Sequence, residues 1–168
     1  METKGLIKRI RILLILFILG LLASGITAFP LQWEIGILKH FIDNSPSITN
    51  LVPGLSDWIN TVHQAITVTY QHYPFMAYGT DWLGFAHIVI AIAFIGPLRD
   101  PVKNIWGIEF GMIACLLILP LALIFGPLRD IPFGWQLIDC SFGVIGIIPL
   151  WLAHKNVRSI AKLQFNTL

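Results

Sequence analysis

Charged residues are scarce in this chain of 168 residues. Asp, Glu, Lys and Arg together make up 12% of the sequence, about half of the ~25% that is usual in a soluble domain. Hydrophobic residues make up 56%, and the mean hydropathy is +0.77. Because the hydrophobic residues form long uninterrupted runs, the composition excludes an ordinary soluble domain and predicts an integral membrane protein.

The motifs of several functional classes are also missing. Cys115 and Cys140 have no CxxC spacing, which argues against a redox dithiol or a zinc site. His63 and His72 are too far apart to stack two metal ligands on one helix face. The chain has no phosphate-binding loop or nucleophile motif. We therefore expect no metal site and no nucleic-acid partner, the balance is against an enzyme, and no cofactor is indicated.

Four apolar runs are long enough to cross a membrane. About 30 Å of hydrocarbon requires roughly 17 to 25 helical residues at 1.5 Å per residue. The predicted spans are residues 12–31, 82–98, 105–128 and 133–153. Residues 1–28 also have the basic start, apolar centre and small residues of a cleavable signal peptide, and this alternative would remove the first span.

The distribution of basic residues indicates the orientation. If all four runs cross, three basic segments fall on one side: the N-terminus, the connection between spans two and three, and the chain after span four. The positive-inside rule then places the N- and C-termini in the cytoplasm. We expect a multi-pass protein of the cell membrane, in a bacterium the cytoplasmic membrane.

Residues 32–80 consequently lie on the outer side. Residues 55–73 have apolar side chains at helical spacing and polar side chains on the other face, which predicts an amphipathic helix. Residues 33–42 predict a shorter interfacial helix, and residues 43–54 a loop. The expected fold is all-α, a single membrane domain of residues 1–168. It is a bundle of four transmembrane helices with an amphipathic helical insertion between helices 1 and 2 on the outer side.

Small residues indicate where the spans meet, because membrane helices approach most closely at Gly, Ala and Ser. The expected stripes are Gly20, Ser24 and Ala28 in the first span, Gly107 and Gly111 in the third, and Gly143 and Gly146 in the fourth. We assign them to packing rather than to a cofactor.

Two ionisable residues, His87 and Asp139, interrupt the second and fourth spans. A charged group in hydrocarbon costs about 2.5 to 3.5 kcal/mol on insertion scales, so we expect both to face inward, at similar depth in the outer half. That arrangement suits proton exchange, binding of a polar headgroup such as a quinone ring, or part of a metal site. A hydrogen-bonded pair that fixes helix register is the alternative. The other residues expected around this outer pocket are Glu34, Tyr78, Asp81, Arg129 and Asp130.

Glu109 lies at the start of the third span, near the predicted cytoplasmic surface. Lys103 and Arg99 are within reach in the preceding segment. We therefore expect a structural ion pair at the interface.

The pentapeptide GPLRD occurs twice, at residues 96–100 and 126–130, each time after an apolar run. We expect Gly to release the helix, Pro to prevent its continuation and Arg to face the negative helix end. Two convergent helix ends on opposite membrane faces explain the repeat. Duplication of the inverted-repeat kind is the alternative, and a match of five residues is slight support for it.

Three classes of function are compatible with these features. The first is binding, with or without transport, of protons or of an apolar or amphiphilic molecule such as a lipid or quinone in the outer pocket. The second is a structural subunit that packs against a membrane-protein partner or a second copy. The third is a membrane enzyme acting on a lipid or isoprenoid. The polar residues inside the spans favour the first class.

Overall fold

A computed structural model describes residues 2–45 and 54–165 of the chain. The described residues are helical throughout their regular structure and contain no β-strand. Four helical stretches are long and apolar enough to cross a membrane, namely Thr3–Ala28, Pro74–Arg99, Ile105–Leu128 and Phe133–Lys162. The expected all-α class with four candidate spanning segments is confirmed.

Apart from residues 44–54 between the second and third helices, the helices follow one another through connections of a few residues. They are α1 (Glu2–Ala28), α2 (Leu31–Asp43), α3 (Leu55–His72), a 3₁₀ helix (Pro74–Met76), α4 (Ala77–Ala93), α5 (Ile95–Arg99), α6 (Ile105–Leu128) and α7 (Phe133–Phe165). The loop predicted over residues 43–54 lies mostly outside the described residues. The chain divides into two compact units, the first formed by Met1–Leu21 with Ile90–Leu168 and the second by Leu22–Val89.

The antiparallel pair α6 and α7 forms the centre of the first unit. A Cβ atom placed on Gly143 would lie 2.5 Å from the carbonyl oxygen of Cys115, so the two helix backbones touch where Gly143 lacks a side chain. The buried core of this unit is Ile10, Leu14, Phe94, Ile108, Cys115, Leu150, Ala153, Val157 and Ile160. The expected packing role of Gly143 and Gly146 is confirmed, because Gly146 also lies against Cys115.

In the second unit α2 packs against α3. The buried residues of this pair are Ile35 and Ile42 on α2 and Ile59 on α3. The end of α1 crosses α4 in the same unit, where a Cβ on Gly25 would lie 2.9 Å from the carbonyl oxygen of Gly84. The stripe expected on α1 is wrong at Gly20, which has no neighbour within 4 Å of an added Cβ.

Three of the predicted spans end differently from what hydropathy indicates. The first candidate spanning helix ends at Ala28 rather than Leu31, because Pro30 disfavours helical geometry in the residue before it and separates α1 from α2. The second, expected to end at Leu98, is a helix to Ala93 followed by the short α5, which ends at Arg99. α7 continues to Phe165, beyond the expected end at residue 153. Its extension remains helical because Val157 and Ile160 are buried on one face.

The two GPLRD segments end their helices by different means, and in neither does Gly begin the exit from the helix. Gly96 and Pro97 lie within α5, whereas Gly126 and Pro127 lie in the last turn of α6. α4 stops at Ala93, four residues before Pro97, because a proline crowds that carbonyl and offers it no N–H. The expected release at Gly is therefore wrong, because α5 ends at Arg99 and α6 at Leu128, in both cases after the Gly–Pro pair.

Candidate functional site

Glu109 of α6 and His154 of α7 form a contact within the first unit. His154 Nε2 lies 3.0 Å from Glu109 Oε1, and the two side chains are 14% and 35% exposed. Because a carboxylate only accepts, the proton of this hydrogen bond is on Nε2 of the imidazole. The contact fixes the imidazole at the point where α7 changes from its apolar part to its basic part.

A shallow groove of about 320 Å³ lies on α7 beside this histidine. It is lined by Trp151, His154, Lys155, Arg158, Ser159 and Lys162. These positions recur at three- and four-residue spacing, so they share one face of the helix. Lys155 Nζ lies 5.7 Å from the centre of the Trp151 ring, within the range of a cation–π contact. The groove combines an aromatic ring, a hydroxyl and several cations, and no carboxylate lines it among the described residues.

The basic face of α7 exists because the opposite face is apolar. Ala153, Val157 and Ile160 are buried in the core of the first unit, together with Ile10 of α1. Helical spacing therefore directs the intervening basic residues outward. The sequence up to Leu152 is mainly apolar, so Trp151 lies at the boundary between the apolar run and the charged one.

Basic residues from other helices of the first unit lie at the same end. The guanidinium of Arg11 is 3.5 Å from the carbonyl oxygen of Arg99, which joins the start of α1 to the end of α5. The Glu109–His154 contact joins the start of α6 to the late part of α7. Nine of the eleven Lys and Arg residues belong to these segments: Lys4, Lys8, Arg9, Arg11, Arg99, Lys103, Lys155, Arg158 and Lys162. We call this region the basic end.

The residues expected around the outer pocket are divided between the units. His87, Tyr78, Asp81 and Glu34 belong to the second unit, and Asp139, Arg129 and Asp130 to the first. His87 is half-buried, and its Nδ1 lies 2.8 Å from the carbonyl oxygen of Leu83. Since a carbonyl oxygen only accepts, Nδ1 carries the proton. Tyr78 is 61% exposed, whereas Asp81 and Glu34 are half-buried.

In the first unit, Asp139 is half-buried on α7, and Arg129 and Asp130 are exposed in the turn between α6 and α7. The backbone of Asp130 has φ 54°, a left-handed conformation. Its N–H bonds to the carbonyl oxygen of Pro127, and the N–H of Ile131 bonds to that of Gly126. This pair of hydrogen bonds is a Schellman helix end, so the turn has a structural explanation.

The residues expected as structural ion-pair candidates have these contacts. Lys103 Nζ lies 3.5 Å from Asp100 Oδ2, and its backbone N–H donates to Asp100 Oδ1 at 3.1 Å. The hydrogen-bond partner of Glu109 is His154. Arg99 offers its carbonyl oxygen to Arg11.

Sequence reasoning missed two residues, His154 and Gln136. Folding α6 and α7 as a hairpin about residues 129–132 puts His154 level with Glu109, so a signal for this contact was present. Gln136 is only 4% exposed. Its Nε2 donates to the carbonyl oxygen of Ile131 at 2.7 Å, and its side chain fills the space in front of Gly126. Gln136 thus supports the turn that contains Arg129 and Asp130.

No protein-family model, curated protein or solved structure matches this chain. Among the described residues, no group of three or more His, Cys, Asp and Glu side chains is placed to hold a metal ion. Function is therefore inferred from the residues themselves, and the groove on α7 is the candidate site.

Proposed function

We propose that this chain is a multi-pass membrane protein that binds an amphiphilic molecule with an anionic headgroup in the groove of α7. The supporting observation is the convergence of Lys155, Arg158 and Lys162 on one helix face beside Trp151. Amphiphile binding by a multi-pass membrane protein is also the class that the polar residues of the sequence favour. We place the binding site at the basic end rather than in the outer pocket.

The side chains of the groove suit a phosphate monoester or diester at a membrane surface. An Arg guanidinium presents two parallel N–H donors to phosphate oxygens, and Lys adds a point charge. Ser159 offers a hydroxyl donor. Trp151 is 51% exposed, and an indole ring at this level packs against the glycerol and upper acyl region of a lipid. The volume of about 320 Å³ is near the lower limit for small-molecule sites, so it suits a headgroup.

We also propose that the basic end faces the cytoplasm and that α2 and α3 lie on the opposite side of a bacterial cytoplasmic membrane. The support is the positive-inside rule applied to the nine basic residues of that end. Near an anionic leaflet each such residue contributes about 1 kcal/mol of attraction. This orientation would place the groove where anionic headgroups are concentrated.

Lipid binding to paired variants of the full-length protein tests the proposed site. The variant Arg158→Gln/Lys162→Gln removes two cations from the groove, and the control Lys4→Gln/Lys8→Gln removes two cations from α1. Losing one charge-assisted hydrogen bond of about 1.5 kcal/mol lowers affinity roughly tenfold. We expect the affinity of the groove variant for phosphatidylglycerol to fall by roughly tenfold or more. Native mass spectrometry in mild detergent measures this affinity. The control should retain its affinity.

Three results would contradict the proposal. Equal losses in the two variants would mean that only overall charge matters. Equal binding of phosphatidylcholine would remove the requirement for a net anionic headgroup. Equally tight binding of water-soluble glycerol phosphate would show that the acyl chains contribute nothing. Thermal unfolding of both variants checks that each remains folded.

Labelling of single cysteines tests the orientation independently of ligand binding. In a background where Cys115 and Cys140 are replaced by Ala, Lys103→Cys reports on the basic end and Thr61→Cys on α3. A membrane-impermeant maleimide should label residue 61 on intact cells, and residue 103 only after lysis. The reverse pattern would contradict the proposed orientation.

A further inference from the structure

An exposed apolar stripe runs along α2. Trp33, Ile37 and Phe41 are 70%, 50% and 58% exposed. Their spacing of four residues places them on one face of the helix. Exposure of three large apolar side chains in a row is costly in water and identifies an interaction surface.

The opposite face of α2 already has a partner. Ile35 and Ile42 are buried on that face, and α2 packs against α3 with Ile59 also buried. Gln32 Nε2 lies 3.4 Å from Thr67 Oγ1, so a polar contact also joins the two helices. α2 therefore has α3 on one side and an exposed apolar surface on the other.

The far side of α3 is mainly polar. Five of its seven exposed residues are polar, namely Asp57, Thr61, Gln64, Gln71 and His72, and the other two are Ala65 and Val68. The order of layers is thus an apolar stripe, α2, an apolar contact, α3 and a mainly polar surface. Such an order matches a lipid surface on one side and water on the other.

The covalent chain keeps α2 close to the membrane. α2 begins at Leu31, and the spanning stretch before it ends at Ala28. The next spanning stretch begins at Pro74, two residues after α3 ends at His72. With 13 residues, α2 is about 20 Å long at 1.5 Å per residue, too short to cross about 30 Å of hydrocarbon.

We propose that α2 lies in the plane of the membrane interface with the Trp33–Ile37–Phe41 stripe inserted among the lipids and α3 stacked on its aqueous side. The occupant of the stripe is therefore the lipid bilayer itself. Apolar contact drives the insertion, because Lys39 of α2 is ion-paired with Asp43 and the single His40 is the other basic side chain of this helix, too little for binding driven by anionic lipid. Neutral lipid should be sufficient, in contrast to the groove of α7.

Site-directed spin labelling of the full-length protein tests this inference. With Cys115 and Cys140 replaced by Ala, a nitroxide is placed at residue 37 or 41 on the stripe, and at residue 61 on α3 as the control. Accessibility to molecular oxygen, which concentrates in lipid, is compared with accessibility to a water-soluble nickel chelate. In phosphatidylcholine vesicles we expect the ratio of oxygen to nickel accessibility to be several-fold higher at residues 37 and 41 than at 61. Adding phosphatidylglycerol should leave this difference unchanged.

Each contrary result overturns the inference. High nickel accessibility at residues 37 and 41 would place the stripe in water. Protection from both reagents would mean that a second copy or another protein covers the stripe. Insertion only in vesicles with phosphatidylglycerol would show that charge, and not the apolar stripe, holds α2 at the membrane. Using two label positions on the stripe guards against a local effect of one substitution.

Discussion

His154 on α7 donates a hydrogen bond from Nε2 to Glu109 Oε1 on α6, over 3.0 Å. The two residues are 45 positions apart in sequence, at the basic end of the first unit. His154 also lines the groove of α7. The His154 side chain therefore does two things: it links α7 to α6 through Glu109, and it lines the groove that we propose as the binding site.

Replacing Glu109 by Ala should lower stability by about 1 kcal/mol. The substitution leaves the N–H of His154 without its acceptor, and partial exposure of Glu109 limits the cost. Glu109→Gln keeps an acceptor oxygen and should lose less. The measurement is thermal unfolding in detergent. The control is Lys103→Ala, because the Lys103 side chain is 85% exposed and its carboxylate contact is with Asp100. If Lys103→Ala costs as much as Glu109→Ala, the Glu109–His154 contact is not the important one.

Two glycines of α1 should respond oppositely to alanine. A Cβ on Gly25 would meet the Gly84 carbonyl oxygen at 2.9 Å, so Gly25→Ala must push α1 away from α4 and should cost about 1 to 3 kcal/mol. Gly20 has open space around it, and Gly20→Ala should be neutral or slightly stabilising because Ala favours helix. Unfolding temperatures of the two variants, measured in the same detergent, decide the point. Equal effects would contradict the α1–α4 crossing.

Glycine in place of the last residue of GPLRD should have opposite effects in the two copies. Asp130 has φ 54°, where an ordinary side chain is strained, so Asp130→Gly should stabilise by about 1 kcal/mol. Asp100 has φ −138° and accepts the N–H of Lys103, so Asp100→Gly should destabilise. The check is the sign of each shift in unfolding temperature. Shifts of the same sign would show that the two segments do not end their helices in these different ways.

Acidification should remove the contribution of Asp100. This residue lies between α5 and α6, and the hydrogen bond from the backbone N–H of Lys103 lowers the pKa of its carboxyl group below the usual 3.8. A lowered folded-state pKa gives stability that is present above the unfolded pKa and is lost as the pH falls through the folded one. Wild type should therefore be more stable than Asp100→Asn at pH 7, and this difference should shrink below about pH 3.8. A difference that is independent of pH would contradict a role for the charge.

Hydropathy located α6 well because polar residues bound its apolar run on both sides. The predicted span 105–128 coincides with the helix. Hydropathy could not locate the end of α7, because Val157 and Ile160 are isolated apolar residues in a basic sequence. They continue the helix because they are buried in the core. Long apolar runs in a sequence indicate segments suited to hydrocarbon. They do not indicate isolated apolar residues that become buried against other helices.

The contacts of the candidate site were less predictable than the helices. Glu109 has two basic residues close by in sequence, but its acceptor oxygen is bonded to His154 of another helix. Small residues at positions 20 and 25 are equivalent in composition, and only the rotation of α1 decides that Gly25 meets Gly84. The register and rotation of one helix against another are set by side-chain packing along the whole contact. A local sequence pattern does not contain that information.

By itself the sequence determined the all-α class, the four segments long and apolar enough to span a membrane and the concentration of positive charge in three segments. These follow from hydrophobic length and composition, which act residue by residue. Only the tertiary structure decided that Glu109 bonds to His154, that Gly25 rather than Gly20 meets another helix, and that α2 keeps an apolar face uncovered. These depend on how rigid helices fit together, because close packing selects one register among several that the composition allows.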